Sequence, residues 1–195
     1  MYKRWIKRLL DLVLSFLGII VLGIPMLIVS FLIRREDPGP ALFRQKRVGL
    51  HKEHFELLKF RSMRLDTPHD VPTHLLEDPD RYILKSGRII RRFSIDELPQ
   101  LFNIFKGEMS VVGPRPALWN QADLIAERDK YGANDVKPGL TGWAQINGRD
   151  ELEIPVKAKL DGEYAQKQSF LFDCKCFFGT IIKVIKHEGV IDGGR

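Results

Sequence analysis

Cysteine is almost missing from this chain of 195 residues, since only Cys174 and Cys176 occur. A C-x-C pair builds no ordinary disulfide framework, and without a second pair it cannot complete a structural zinc site. Both are therefore read as reduced thiols in a cytosol-facing segment. Absent as well are a phosphate-cradling G-x-x-x-x-G-K-[ST] loop, a dinucleotide fingerprint after a strand, any internal repeat and any low-complexity tract. Function has to be sought elsewhere than in a standard nucleotide-binding motif.

Charge is missing over one long stretch. From Leu12 to Ile33 no charged residue occurs, with Lys3, Arg4, Lys7 and Arg8 before the run and Arg34 and Arg35 after it. As a straight helix the run would reach about 33 Å, enough for a hydrocarbon core of roughly 30 Å. A signal peptide has a shorter apolar core and a small-residue cleavage site, whereas RREDPGP follows here. Pro25, two residues after Gly23, predicts a kink or break. Basic residues at both ends leave the positive-inside bias without a preferred side. A kinked spanning helix and a hairpin that enters and leaves by one face both remain open on the residues alone.

What the chain does have is 44% hydrophobic residues and a net charge of +6. The first allows one domain with a real core plus an appendage. The second favours a negatively charged partner: nucleic acid, an anionic membrane surface or a phosphorylated substrate. After the apolar run, DPGPALFRQKRVG and EHFELLKFRSMR read as two strands around GLHKEH, with Phe43, Phe55 and Leu57 facing inward. LDTPHDVPTHLLEDPD reads as loop or short helix. RYILKSGRIIRRF has helical spacing, with Ile83, Ile89 and Ile90 on one side, and DELPQLFNIFKGEMS follows with Leu98, Leu101, Phe102 and Phe105. VVGPRPALWN and KPGLTGWAQINGRD read as stiff loops separated by a charged helix, ADLIAERDKYG. Two further helices end the chain, EIPVKAKLDGEYAQKQ and SFLFDCKCFFGTIIKVIKHEG. In the last, Leu171, Cys174, Phe177, Phe178, Ile181, Ile182 and Ile185 form an apolar stripe suited either to core packing or to a membrane surface.

Asp96 and Glu97 stand side by side in FSIDELPQ. Ser94 and Glu97 fit a capping box, but Pro99 would then fall where a backbone donor is needed, so the helix is expected to begin at Asp96. Carboxylates at a helix start diverge, which suits two separate jobs. One can attack phosphorus as a nucleophile while the other holds a divalent cation on a diphosphate. Basic side chains come from separate segments: Lys59 and Arg61, Arg91 and Arg92, Arg115, Lys137 and Arg149. Arg115 and Arg149 sit in Gly/Pro-rich loops, where a stiff backbone can fix a guanidinium for bidentate phosphate contact.

The run KFRSM, then RRFSIDELPQLFNIFKGEMSVVGPRP, then KPGLTGWAQINGR, resembles the bacterial sugar transferase family of monotopic phosphoglycosyl transferases, in its small single-domain form. The likeness covers nearly the whole chain. It implies transfer of a sugar-1-phosphate from a UDP-sugar, of N-acetylhexosamine type, to undecaprenyl phosphate, giving an undecaprenyl diphosphosugar and UMP. It also implies a covalent phosphosugar on Asp96, Mg2+ held by Glu97, and substrate-binding roles for Lys59, Arg91, Arg115, Arg149 and Asp161. The implied fold is mainly helical α+β: a re-entrant membrane helix broken at Pro25, a small β-hairpin and amphipathic interfacial helices. The family break is often Ser-Pro, where this chain has Ile24-Pro25. Residues 1–36 would anchor the protein and residues 37–195 form a catalytic domain on the cytoplasmic face of the bacterial inner membrane. The implied partners are the UDP-sugar, the undecaprenyl phosphate acceptor and anionic membrane lipids, with a homodimer admitted and no nucleic acid.

A membrane-tethered scaffold that binds anionic headgroups without chemistry would also explain the charge and the anchor. It leaves the Asp-Glu pair between basic segments unexplained.

Overall fold

Two chain segments around a five-residue connection pair as expected. In the computed structural model, which describes residues 2–67, 79–148 and 152–186, β1 (Leu42–Val48) runs antiparallel to β2 (His54–Phe60) with Gln45 opposite Leu57 and Phe43 opposite Lys59. The period of two puts Phe55, Leu57 and Lys59 on one face. The remaining edge of β2 is closed by Asn103, whose Oδ1 accepts from Leu58 N–H at 3.0 Å while its Nδ2 donates to Glu56 O at 2.7 Å. Asn103 belongs to α4 (Gln100–Lys106), so one fully buried amide ties that helix to the strand carrying Lys59.

Ahead of the hairpin the apolar run forms a helix, α1 (Lys7–Glu36), after a π-helical lead at Tyr2–Ile6. The expected break is not seen as an interruption, because α1 continues through Pro25. Proline removes one donor from the ladder, yet the turns on either side remain helical. The remaining helices are α2 (Pro79–Tyr82), α3 (Lys85–Arg92), α5 (Ala122–Asp129), α6 (Trp143–Ile146), α7 (Ile154–Lys167) and α8 (Phe170–Lys186). The architecture is the expected mainly helical α+β.

One side of α1 packs along the rest of the molecule. A Cβ at Gly18 would lie 3.1 Å from Leu101, and Met26 and Ile33 are buried with Phe60, Leu84 and Ile90. The flanking charges are drawn in too. Lys3 Nζ donates to the carbonyls of Ala165 and Gln166 near the end of α7, and Arg8 to those of Ile104 and Phe105 at the end of α4, where orphan acceptors favour cations. Lys7 pairs with buried Asp173 of α8 at 2.6 Å, and Asp11 accepts from Ser110 Oγ and Val111 N–H. At the other end Glu36 accepts from the N–H groups of Lys85 and Ser86, and Asp37 pairs with Arg61. The opposite side is bare, with Val21, Ile24 and Leu27 each more than 70% exposed. A helix this long and apolar with a bare face is consistent with membrane association.

Several expected faces turn out differently. Ile90 is buried, but Ile89 is exposed and Ile83 bridges to Met63 between α2 and α3, because two short helices meet there instead of one. On α4 the inward residues are Leu101 and Ile104, while Phe102 and Phe105 are partly exposed and Phe105 stacks on Phe16 of α1. On α8 the buried side holds Asp173 and Cys176. Leu171, Phe178 and Ile182 face outward, so this part of the stripe does not pack into the core. Ile185 lies among residues whose side chains are not described.

The two stiff loops contain an unexpected parallel pair, β3 (Ser110–Val112) and β4 (Gly139–Thr141). Glycines make the contact. A Cβ on Gly139 would come within 2.0 Å of Gly113 N, and one on Gly142 within 2.1 Å of Gly113 O. Three-residue strands without alternation carry no strand signature, so sequence reading finds only their turns.

Candidate active site

Lys59 reaches inward from β2 with Leu57 and Phe55, toward the chain that links α3 to α4. Ser94 there adopts a left-handed φ of 55° and begins a 3-10 turn, Ile95–Glu97, that contains Asp96. Neither expected helix start is found: Ser94 makes no capping hydrogen bond and Asp96 is not an N-cap. The turn is closed by Glu97 N–H to Ser94 O and Leu98 N–H to Ile95 O, and Pro99, lacking an N–H, ends it. Helix α4 then starts afresh at Gln100.

The tight turn sends both carboxylates toward cations. Glu97 Oε1 accepts from Lys59 Nζ at 3.0 Å and from Arg115 Nη2 at 2.8 Å. Lys59 Nζ also lies 3.8 Å from Asp96 Oδ2. Burial pushes the Asp96 carboxyl above its ordinary pKa; Lys59 opposes this, the neighbouring Glu97 adds to it, and Arg91 and Arg115 pull the value down. The structure therefore gathers Asp96, Glu97, Lys59, Arg91 and Arg115, drawn from four separate segments, into one charged site. Arg149 lies outside the described residues. Lys137 sits beside Arg8 and Gly107 at the end of α4, with its pKa lowered by burial and by Arg8.

Asp161 takes a different place from the one expected. It is 1% exposed, and its Oδ2 accepts from Arg128 Nε at 2.9 Å and Nη2 at 2.6 Å. Arg128 Nη2 in turn donates to the backbone carbonyl of Arg115 at 2.9 Å. Asp161 thus stands behind the site, holding the residue that holds the loop. Arg128 was not singled out from the sequence. Its signal was available: it falls four residues after Leu124, on the inward face of α5, where a charge requires a buried partner.

Beside the carboxylates opens a cleft of about 190 Å3, bordered by Glu97, Arg115 and Arg92 and by Leu140, Ile146 and Phe177. No group of three or more His, Cys, Asp or Glu side chains suited to a metal occurs among the described residues. Two adjacent carboxylates nevertheless fit Mg2+, which keeps several waters and takes one or two protein carboxylates together with substrate phosphates.

Paired carboxylates facing a lysine and an arginine form a set of groups suited to handling a phosphorus-bearing group. Residues 2–187 match the family described as bacterial sugar transferase, and the chain belongs to that family. It is 41% identical to an uncharacterized sugar transferase, EpsL, of Bacillus subtilis, over 95% of this chain and 90% of the relative. It is 36% identical to the UDP-glucose:undecaprenyl-phosphate glucose-1-phosphate transferase of Escherichia coli, and 33% identical to the undecaprenyl-phosphate galactose phosphotransferase of Salmonella typhimurium. Those alignments cover 93% and 96% of this chain but only 40% and 42% of the two relatives.

Proposed function

We propose that the protein transfers a sugar-1-phosphate from a UDP-sugar to undecaprenyl phosphate at a membrane surface, by way of a phosphosugar carried on Asp96. One observation carries the reading: Lys59 bridges Asp96 and Glu97 while Arg115 grips Glu97 from the other side. In the first step an Asp96 carboxylate oxygen attacks the sugar-linked phosphorus of the donor. The bond from that phosphorus to the bridging oxygen breaks, and UMP leaves with the electron pair. In the second step a phosphate oxygen of the acceptor attacks the same phosphorus and returns the Asp96 carboxylate. One phosphate site then serves a water-soluble donor and a lipid-soluble acceptor in turn.

Lys59, Arg91 and Arg115 neutralise charge that gathers on the phosphates, and their attachment to rigid elements saves reorganisation during reaction. Glu97 would hold Mg2+, which supplies further neutralisation of the diphosphate when bound. A headgroup-binding scaffold would present such cations outward, whereas Lys59 and Arg115 here turn onto a carboxylate that is 7% exposed. The relatives support a hexose-1-phosphate as the transferred group. Their names give glucose and galactose, and the sequence expectation is an N-acetylhexosamine; a panel of UDP-sugars decides between them.

The anchoring of α1 at both ends to one domain supports a monotopic placement, on the cytoplasmic face where UDP-sugars are found. The experiment for the chemistry is UMP release by detergent-purified protein, with intact-mass analysis of the Asp96 peptide. Wild type should release UMP and gain the mass of a phosphosugar, and Asp96→Asn should do neither. Undiminished UMP release by Asp96→Asn would show that another group attacks.

A further inference from the structure

The cleft beside Glu97 has two unlike kinds of lining. Glu97, Arg115 and Arg92 border it, with Ser94, Gln145 and Lys183 as further polar neighbours, but most of its surface is apolar and comes from residues such as Leu140, Ile146, Phe177 and Ile181. Thr141 and Thr180 also border it, but their hydroxyls bond to one another, and Thr180 further donates to Cys176 O. A nucleotide or a sugar entering that wall would lose hydration with little polar return. The size points the same way, since about 190 Å3 is below the roughly 300–1,000 Å3 that encloses a drug-sized ligand.

The apolar wall leads outward. Phe177 and Ile181 lie one turn apart on α8, and the adjoining strip holds Phe178 and Ile182, which are 60% and 54% exposed. A molecule with an anionic head and a hydrocarbon tail matches this set of surfaces: cations at the border, an apolar wall beside them, and a bare apolar strip beyond.

We propose that this cleft seats the first isoprenoid units of the lipid acceptor. Its phosphate lies at the Arg115 end, and the remaining chain leaves over Phe178 and Ile182 into the membrane. The assignment rests on the acceptor being a polyprenyl phosphate, as proposed above. It makes Phe177 and Ile181 determinants of acceptor binding with no part in the donor half-reaction.

The test separates the two halves in the full-length protein in nanodiscs. Release of UMP in the first turnover without acceptor reports donor chemistry, and steady-state turnover against undecaprenyl phosphate concentration reports the acceptor. Ile181→Asp and Phe177→Ala should leave the first-turnover release intact and raise the KM for undecaprenyl phosphate about tenfold, on the scale of losing one buried apolar contact surface. An unchanged acceptor KM, or an equal loss in both halves, overturns the assignment. Wild-type protein provides a second measurement that no folding defect can obscure: undecaprenyl phosphate with a diazirine in its first isoprene unit should label peptides of α6 and α8. Label confined to α1 with normal turnover overturns the cleft alone. Failure of wild type to release UMP from any UDP-sugar overturns the acceptor reading and the cleft assignment together.

Discussion

At the scale of single residues, Lys59 sets the charge balance of the site. In the proposed mechanism Asp96 must be ionised to attack, and burial raises its pKa, so kcat/KM should fall on the acid side at a higher pH than an ordinary aspartate near 3.9 would give. Lys59 pulls that pKa down. Removing it in Lys59→Gln should raise the Asp96 pKa further and move the acid limb to higher pH; an unmoved limb would show that Lys59 does not govern ionisation. Arg128 and Asp161 allow stability to be separated from activity. Asp161→Asn leaves Arg128 buried without its counter-charge and should cost roughly 3–5 kcal/mol. The double change Arg128→Met with Asp161→Leu should restore much of the thermal stability, yet UMP release should stay low because the Arg115 carbonyl has lost its donor. Full activity in that double variant would show that the loop needs no such support.

Among the elements, the parallel pair β3–β4 is held by backbone proximity that no side chain can replace. Gly139→Ala should abolish folding to a soluble, active state, since its Cβ would meet Gly113 N at 2.0 Å and backbone cannot swing aside. Gly23→Ala in α1 is the matched control. Nothing lies within 4 Å of that Cβ, and alanine should gain about 0.5–1 kcal/mol from helix propensity, read as a small rise in Tm. Equal effects from the two changes would refute the packing account. The hairpin was legible because two alternating runs flank a turn, and α7 and α8 because their 3.6-residue pattern is long. The faces of α3 and α4 were not, because in a helix of seven or eight residues the packing neighbours decide which side is covered. The basic flank before α1 was legible only in part. Lys3 and Arg8 read in the sequence only as a charge bias at one end of the apolar run, and in the fold they are occupied with helix C-terminal carbonyls.

For the molecule as a whole, the two ends of α1 bear on topology. Lys7 is joined to Asp173 and Glu36 to the start of α3, so both ends of the apolar helix stay with one domain. In a background without native cysteines, Lys3→Cys and Arg44→Cys should be labelled from the same side of sealed vesicles. Labelling from opposite sides would show that α1 spans the bilayer. By itself the sequence determined the apolar helix, the hairpin, the family and most of the charged site, because these depend on composition, on periodicity and on ordered motifs that survive being read along a line. Only the tertiary structure decided that Asp96 lies in a 3-10 turn, that Asp161 pairs with Arg128, that the glycine loops form a parallel pair and that α8 turns its apolar stripe outward. Each of these is set by contacts between residues far apart in the chain, and such contacts exist only once the segments have packed.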